Sequence, residues 1–144
     1  METLTQQLRV ILATNFVLYF KGHTFHWNVE GPDFAQYHGF LGDFYDSVFD
    51  QTDDIAEHIR QLNAYAPTGL IRLLELSAIE ETDSIPSGLA MLAQLKKDND
   101  DYIVQLRAGI VVADQAGEPA VSNFLQDLLA AHQKHAWMLR SFTK

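Results

Sequence analysis

The stretch "FAQYHGFLGDFYDSVFDQTDDIAEHIRQLN", residues 34 to 63, decides the fold class. Positions on one side of it recur at alternating steps of four and three residues, the spacing of a helix that packs in a bundle. These positions are Leu41, Tyr45, Val48, Thr52, Ile55, Ile59 and Leu62. We therefore predict one helix from about Phe34 to Asn63, roughly 30 residues and about 45 Å long.

The rest of the chain has the same helical spacing and is divided at its Gly and Pro residues. A first helix should run to about Asn28, because "EGP" at residues 30 to 32 then breaks it. The segment "LIRLLELSA", residues 70 to 78, predicts a short helix. A third long helix should begin at Ser87 and stop at Gly117, and Pro119 suits the first turn of a last helix.

No strand-like alternation, internal repeat or low-complexity tail occurs in the sequence. The pattern predicts an all-α fold, a four-helix bundle with a short extra helix in the connection between helices two and three. With 144 residues and a hydrophobic content of 47%, the chain should form a single domain over residues 1–144.

Composition and charge exclude several classes of function. The formal net charge is −9, which disfavours the phosphate contacts of nucleic-acid binders and favours cations as partners. The chain has no cysteine, so any metal must be held by His, Asp or Glu side chains. The apolar runs are too short to span a membrane and the amino terminus does not resemble a signal peptide. We expect a soluble, cytoplasmic protein.

Four side chains suggest a metal site that one chain cannot complete. Asp53 and Glu57 are four residues apart on one helix face and could chelate together, while His26 and His38 lie near the first break. His38 and Asp53 are fifteen residues apart, about 22 Å along a straight helix, so one metal cannot touch both within one chain. No Glu-x-x-His motif of a within-bundle di-iron site occurs. A shared site would need two copies related by a twofold axis.

The motifs around these residues resemble one known family. "HWNVEGPDF", then His38, then "DDIAEHIRQL" is similar to the signature of the Dps mini-ferritins, which belong to the ferritin-like superfamily. "APTGLIRLLELSAIEE" and "HQKHAWMLRSF" are similar to other parts of the family, so the resemblance covers residues 4 to 142. It implies a hollow dodecamer with ferroxidase activity. Such a shell oxidises Fe(II), typically with hydrogen peroxide, stores ferric mineral and protects against oxidative damage.

The resemblance also implies roles for individual residues. His26, His38, Asp53 and Glu57 would be the iron ligands, with Trp27 beside the metal. His23, one turn before His26, is a candidate supporting group or substitute ligand. The simpler interpretation of any single histidine is packing, and for His132 and His135 we expect packing or an interface. We also expect Trp27 and Trp137 to be packing residues, and His58 to be exposed or at a subunit contact.

One position departs from the family pattern. An aspartate usually lies four residues after the second histidine, where this chain has Gly42. The neighbouring Asp43 is rotated by about 100° around the helix and does not replace it. We therefore predict one strong metal position, and slower or substoichiometric iron oxidation. The alternative is a non-enzymatic shell or interaction particle that binds metal weakly.

Two further expectations concern the assembled shell. Direct DNA binding should be absent, because no lysine or arginine precedes the first helix and twelve copies carry about −108 charges. The pores of such shells are lined near the start of the last helix, where the matching positions are Glu118, Asn123 and Asp127. Asn123 replaces a usual aspartate, so the negative field that attracts cations should be weaker.

Overall fold

The structure is a computed structural model that describes residues 1–144, and it confirms the all-α prediction. Its helices are α1 Glu2–Asn28, α2 Phe34–Asp50, α3 Thr52–Gln61, α4 Leu70–Leu76, α5 Gly88–Gln115 and α6 Pro119–Phe142. The two halves of the second bundle helix, α2 and α3, pack against α1, while α1 also packs against α5 and α5 against α6. The short α4 contacts α1 and lies in the connection before α5. None of these helices is long and apolar enough to cross a membrane.

The prediction of one continuous helix from Phe34 to Asn63 is wrong at Gln51, where α2 and α3 are divided. The Asn15 amide of α1 donates to the carbonyl oxygen of Val48 at 2.9 Å and to the Thr52 hydroxyl at 3.2 Å. A side chain that bonds to a helix carbonyl in this way loosens the helical ladder locally. Gln51 keeps helical backbone angles, so the chain continues into α3.

The predicted helix ends of the second half are confirmed. The Ser87 hydroxyl accepts a hydrogen bond from the amide of Ala90 and caps α5. Gly117 has a φ of 71°, a left-handed conformation that favours glycine and ends that helix. Pro119 lies in the first turn of α6, where its missing amide proton costs nothing.

The core contains a polar layer, formed by Asn15, Gln51, Asn99, Tyr102 and His132, between apolar residues of the bundle. His132 is fully buried, and its Nδ1 lies 2.7 Å from the Asn99 amide oxygen. Its Nε2 lies 2.9 Å from the terminal amide of Gln51. Tyr102 donates to Asn15 at 3.0 Å, which joins α5 to the division between α2 and α3. The packing expectation for His132 is therefore confirmed.

A buried ion pair ties the connection after α4 to the bundle. Lys21 of α1 donates to Asp98 of α5 and also to the carbonyl oxygen of Glu80 at 2.7 Å. Side-chain exposure is 2% for Lys21 and 8% for Asp98. Burial raises the pKa of Asp98, and Lys21 opposes that shift. Each buried charge is stabilised mainly by the other, because neither side chain is in contact with water that could solvate it.

We expect Lys21→Met to lower the free energy of unfolding by about 3–5 kcal/mol, because it leaves Asp98 buried without a partner. The double variant Lys21→Met/Asp98→Leu should recover most of that loss, since it removes both charges. Urea unfolding of the three proteins at one protomer concentration measures this. A double variant no more stable than Lys21→Met would contradict the explanation.

Candidate metal centre

His26 and His38 are held against each other by reciprocal hydrogen bonds. Their imidazole rings are stacked, with centroids 3.7 Å apart and planes 15° apart. Nδ1 of His26 lies 2.8 Å from the carbonyl oxygen of His38, and Nδ1 of His38 lies 2.9 Å from the carbonyl oxygen of His26. The turn that brings α1 back to α2 contains Gly31, with a φ of 116°. The last turn of α1 and the start of α2 thus hold both rings.

The hydrogen bonds fix the tautomer of both rings. A carbonyl oxygen can only accept, so each Nδ1 carries the proton and donates it. In a neutral imidazole the remaining nitrogen, Nε2, then has a free lone pair. Metal-binding histidines are commonly oriented by such a bond to a carbonyl or carboxylate oxygen. His26 and His38 are therefore prepared as nitrogen ligands.

The structure shows what occupies the space beside the unusual Gly42. A Cβ atom added to Gly42 would lie 3.2 Å from Cε1 and 3.4 Å from Nδ1 of His26. The His26 ring thus packs directly against the backbone of α2 at this position. A side chain at residue 42 would emerge next to the imidazole, at the place where the missing carboxylate of the family pattern would start.

The predicted carboxylate ligands lie elsewhere on the chain. Asp53 and Glu57 are exposed on α3, and neither forms an ion pair within the chain. No group of three or more His, Asp or Glu side chains in one chain is close enough to hold a metal. The structure therefore brings His26 and His38 together but does not bring them to Asp53 and Glu57. Whether a second copy does so stays a prediction.

His23 is engaged by aromatic neighbours. Its Nδ1 lies 2.9 Å from the Tyr19 hydroxyl, and its ring stacks on Tyr45 with centroids 3.8 Å apart. Its centroid lies 6.5 Å from that of His26. Burial and the neighbouring His26 lower the pKa of His23, while Asp46 partly offsets this effect. These contacts hold the His23 ring near His26, and its role as a supporting group or a substitute ligand stays a prediction.

The tryptophans and the remaining histidines differ in their surroundings. Trp27 and Trp137 are 58% and 56% exposed, so neither packing residue lies in the core of the chain, and Trp27 packs edge-on against Phe20. His58 is half-buried, with its ring 4.2 Å from that of Phe124. His135 packs edge-on against a core phenylalanine, as expected for a packing residue. The exposed indole of Trp27 remains beside the His23 ring, at 4.6 Å.

The predicted pore residues lie at the start of the last helix. Glu118 immediately precedes α6, and Asn123 and Asp127 are exposed one turn apart on it. Side chains four residues apart share a helix face. The three residues are thus available to line an opening between copies, and a pore formed by them stays a prediction.

Sequence reasoning did not single out Tyr19 and Tyr45, which surround His23. The four-residue step from Tyr19 to His23 was a readable signal, since such side chains meet on a helix. Tyr45 comes from α2, and its position over His23 depends on how α1 and α2 are aligned. No local spacing in the sequence gives that alignment.

Comparison with known proteins identifies the family. A model of the ferritin-like domain matches residues 5–144. The DNA protection during starvation protein of Brevibacillus brevis is 33% identical over 147 residues, covering 99% of each chain. This chain belongs to the ferritin-like family and, within it, to the Dps proteins. Antigen TpF1 of Treponema pallidum is 35% identical over 96% of this Dps chain and 79% of its own length.

A solved structure gives the same fold. A Dps protein from Vibrio cholerae O1 superposes with a TM-score of 0.93 at 26% identity, covering 99% of this chain and 90% of its own. That protein is described as a member of a broad superfamily of ferritin-like diiron-carboxylate proteins. The family thus connects this Dps chain with iron storage and protection. The fold and family prediction made from the motifs is confirmed.

Proposed function

We propose that this Dps protein is a ferroxidase that oxidises Fe(II) with hydrogen peroxide at sites between two subunits. The ferric product is stored as mineral inside a hollow shell of twelve copies, which protects the cell from oxidative damage. Iron is both substrate and stored product. The observation that carries the proposal is the reciprocal pair of His26 and His38, which presents two free Nε2 lone pairs.

The rest of the proposed site comes from a second copy. Asp53 and Glu57 are exposed on one face of α3 and have no partner within the chain. A twofold axis that sets α2 and α3 of two copies antiparallel would place them opposite His26 and His38, and symmetry would make two such sites. Hard carboxylate oxygens beside imidazole nitrogens stabilise Fe(III) relative to Fe(II) and so favour oxidation.

The number of ligands at this site matters because it sets how many Fe(II) ions are bound next to each other. Two Fe(II) ions and two protons reduce one hydrogen peroxide molecule to two waters, which yields two Fe(III) ions. A single Fe(II) ion supplies only one of the two electrons that peroxide needs. Because Gly42 cannot provide a carboxylate, we propose that one iron position is strong and that pairing of two irons is incomplete.

The double variant Asp53→Ala/Glu57→Ala tests the proposal. We expect the initial rate of peroxide-dependent ferric absorbance growth to fall by at least about 10-fold, because the site loses both carboxylate ligands and loss of even an outer-shell partner of a ligand costs about 10- to 100-fold. The matched control is Asp54→Ala/Asp114→Ala, which removes the same charge from two exposed residues that form no ion pair. The control should oxidise iron at the wild-type rate. Equal rates in the wild type and the Asp53/Glu57 variant would refute these residues as ligands.

A non-enzymatic shell or interaction particle is the second candidate function. The observation that favours it is the His26 ring against Gly42, which leaves the site short of one carboxylate. Anaerobic Fe(II) titration separates the candidates. The ferroxidase binds at least one iron tightly per site, whereas the alternative shows weak binding and no faster oxidation than free Fe(II).

We further propose a cytoplasmic location and no direct binding to DNA. The charge of −9 per chain supports the second statement, because a shell of this charge repels the phosphate backbone at ordinary salt. Glu118, Asn123 and Asp127 would attract Fe(II) into the shell through the pores, with Asn123 weakening that field.

A further inference from the structure

Four polar side chains meet between α6 and the second bundle helix. His132 and His135 are three residues apart on α6, so they share one face of that helix. Ser47 and Gln51 are four residues apart, one helical turn, on the other side of the gap. We call these four residues the α2–α6 cluster. None of them belongs to the proposed iron site, so a function of this cluster is separate from the ferroxidase.

Each histidine of the α2–α6 cluster faces one polar group of the other helix. Nε2 of His132 lies 2.9 Å from the terminal amide of Gln51, and Nε2 of His135 lies 3.4 Å from the Ser47 hydroxyl oxygen. The two imidazole centroids are 5.2 Å apart, and the rings are inclined by 69°. A tetrahedral ion with bonds of about 2.0–2.1 Å holds its ligand atoms about 3.3–3.4 Å apart. Both separations across the gap are within about half an ångström of that spacing.

The backbone fixes the tautomer of His132. The Asn99 amide NH2 donates to the carbonyl oxygen of His132 at 2.9 Å, and a carbonyl oxygen can only accept. The other end of this amide, its oxygen, therefore lies 2.7 Å from Nδ1, which must carry the proton. Nε2 is left with a free lone pair, and the Gln51 amide can turn its NH2 group or its oxygen towards that side. A ring held through Nδ1 in this way is the usual arrangement of a metal-binding histidine.

Both imidazoles of the α2–α6 cluster are neutral near pH 7. Burial, and secondarily the neighbouring His135, lowers the pKa of His132 to about 3. Burial, and secondarily Lys134, lowers the pKa of His135 to about 4. A cation therefore has no proton to displace from either ring. His132 is fully buried, whereas the other three residues of the cluster are half-buried, so a cation can enter from the surface side.

The charges around the α2–α6 cluster favour a cation. Three exposed carboxylates lie one turn from the cluster on the second bundle helix, at Asp43, Asp50 and Asp54. Lys134 on α6 opposes them with one positive charge. The net field at the cluster is therefore negative, as it is for the chain as a whole.

We propose that the α2–α6 cluster binds one zinc(II) ion, with the two histidine Nε2 atoms as the principal ligands. Imidazole nitrogen suits zinc and its neighbours in the first transition row, whereas magnesium and calcium prefer carboxylates and other oxygen ligands. The amide oxygen of Gln51 and the hydroxyl of Ser47 complete a tetrahedral set of two nitrogens and two oxygens. The bound ion joins α6 to the division between α2 and α3, and so stabilises the folded chain.

The first experiment uses Co(II) as a coloured substitute for zinc. The assembled Asp53→Ala/Glu57→Ala protein serves as the background, because it lacks the carboxylates of the proposed iron site. Four-coordinate Co(II) absorbs visible light much more strongly than six-coordinate Co(II), so we expect intense visible bands that saturate at one Co(II) per chain and disappear when zinc is added. Adding His135→Gln should weaken binding by at least about 10-fold, because one ligand is lost. Equal affinity in the two proteins overturns the proposal.

The second experiment tests direct coordination. The chain has no cysteine, so His135→Cys in the same background introduces its only thiol. A thiolate bound to Co(II) gives a charge-transfer band in the near ultraviolet, which we expect in this variant. The matched control is Lys134→Cys, whose thiol is exposed on the neighbouring residue and rotated by about 100° around α6. No band in His135→Cys, or the same band in both variants, overturns the proposal.

The third experiment measures stability, for which all variants are compared at one protomer concentration. Zinc should raise the urea unfolding midpoint of the background protein, because it binds the folded chain. His135→Gln should remove this rise, whereas His58→Gln, which removes a histidine outside the α2–α6 cluster, should retain it. A rise that persists in His135→Gln, or no rise in the background protein, overturns the proposal. Since every measurement is made without the iron-site carboxylates, these outcomes do not depend on the proposed ferroxidase.

Discussion

Gly42→Asp should raise the number of tightly bound Fe(II) ions from one to two per site. The added Cβ would begin 3.2 Å from Cε1 of His26, so the new carboxylate would lie beside a candidate ligand. A carboxylate oxygen there supplies the hard ligand that the second metal position lacks. With two Fe(II) ions present, peroxide receives both electrons from iron.

Anaerobic Fe(II) titration and the ratio of Fe(II) oxidised to peroxide consumed measure this effect. Gly42→Ala adds the same crowding without a carboxylate and should stay at one iron. Gly39→Asp adds the same charge three residues earlier on α2, where a Cβ meets nothing within 4 Å, and should also stay at one. Two tight irons in the wild type, or one in a folded and assembled Gly42→Asp protein, would contradict the assignment of Gly42.

The stability of Gly42→Asp should change little. Glycine inside a helix costs about 1 kcal/mol relative to alanine, and aspartate recovers part of this. The close contact with His26 opposes the gain, since the ring must shift by a few tenths of an ångström. His26 is only half-buried and can tilt about its bond to the His38 carbonyl. Iron stoichiometry is therefore a clean measurement for this variant.

The fold was predictable because its signals are local. The four-and-three spacing, the cap at Ser87 and the break at Gly117 each depend on a few neighbouring residues, and the structure confirms them. The division at Gln51 was not predictable, because it accompanies a hydrogen bond from Asn15 on another helix. Asn15 lies 33 residues before Val48 in the sequence. Its hydrogen bond to the helix therefore leaves no periodic signal near Gln51, where the helix is divided.

The candidate site was predictable only in part for the same reason. The positions of His26 and His38 suggested a site, but their mutual hydrogen bonds depend on the turn between α1 and α2. The contact between His26 and Gly42 likewise depends on side-chain packing. Trp27 illustrates the same limit, because the sequence does not show whether a tryptophan that packs lies in the core or at the surface, where the structure places it. In an assembly that surface would be available to a second copy.

Acid should destabilise the folded chain well before its carboxylates are protonated. Burial, and secondarily the neighbouring His135, lowers the pKa of His132 to about 3. Burial, and secondarily Lys134, lowers the pKa of His135 to about 4. An unfolded histidine has a pKa of about 6.5, so the unfolded chain binds these protons first as pH falls. Stability is therefore full above about pH 6.5 and is lost as pH falls towards the folded values.

The size of the effect follows from these pKa differences. At pH 5 the loss should be about 2 kcal/mol for His132 and somewhat less for the half-buried His135, relative to pH 8. Urea unfolding midpoints between pH 8 and 5, at fixed protomer concentration, measure it. His132→Gln keeps an amide in the polar layer but cannot titrate, so its stability should fall less steeply with acid than that of the wild type.

His58→Gln is the matched control, because it removes a histidine whose ring lies outside the polar layer. The slope of stability with pH should be shallower in His132→Gln than in His58→Gln. His132→Gln is expected to be less stable than the wild type at pH 8, since it repacks the core, so the slope with pH is the decisive quantity and not the stability at one pH. If the slope is the same in His132→Gln as in the wild type, the buried His132 is not what makes the bundle sensitive to acid. A shallower slope would locate that sensitivity in the polar layer at the division between α2 and α3, only two residues from the candidate ligand Asp53.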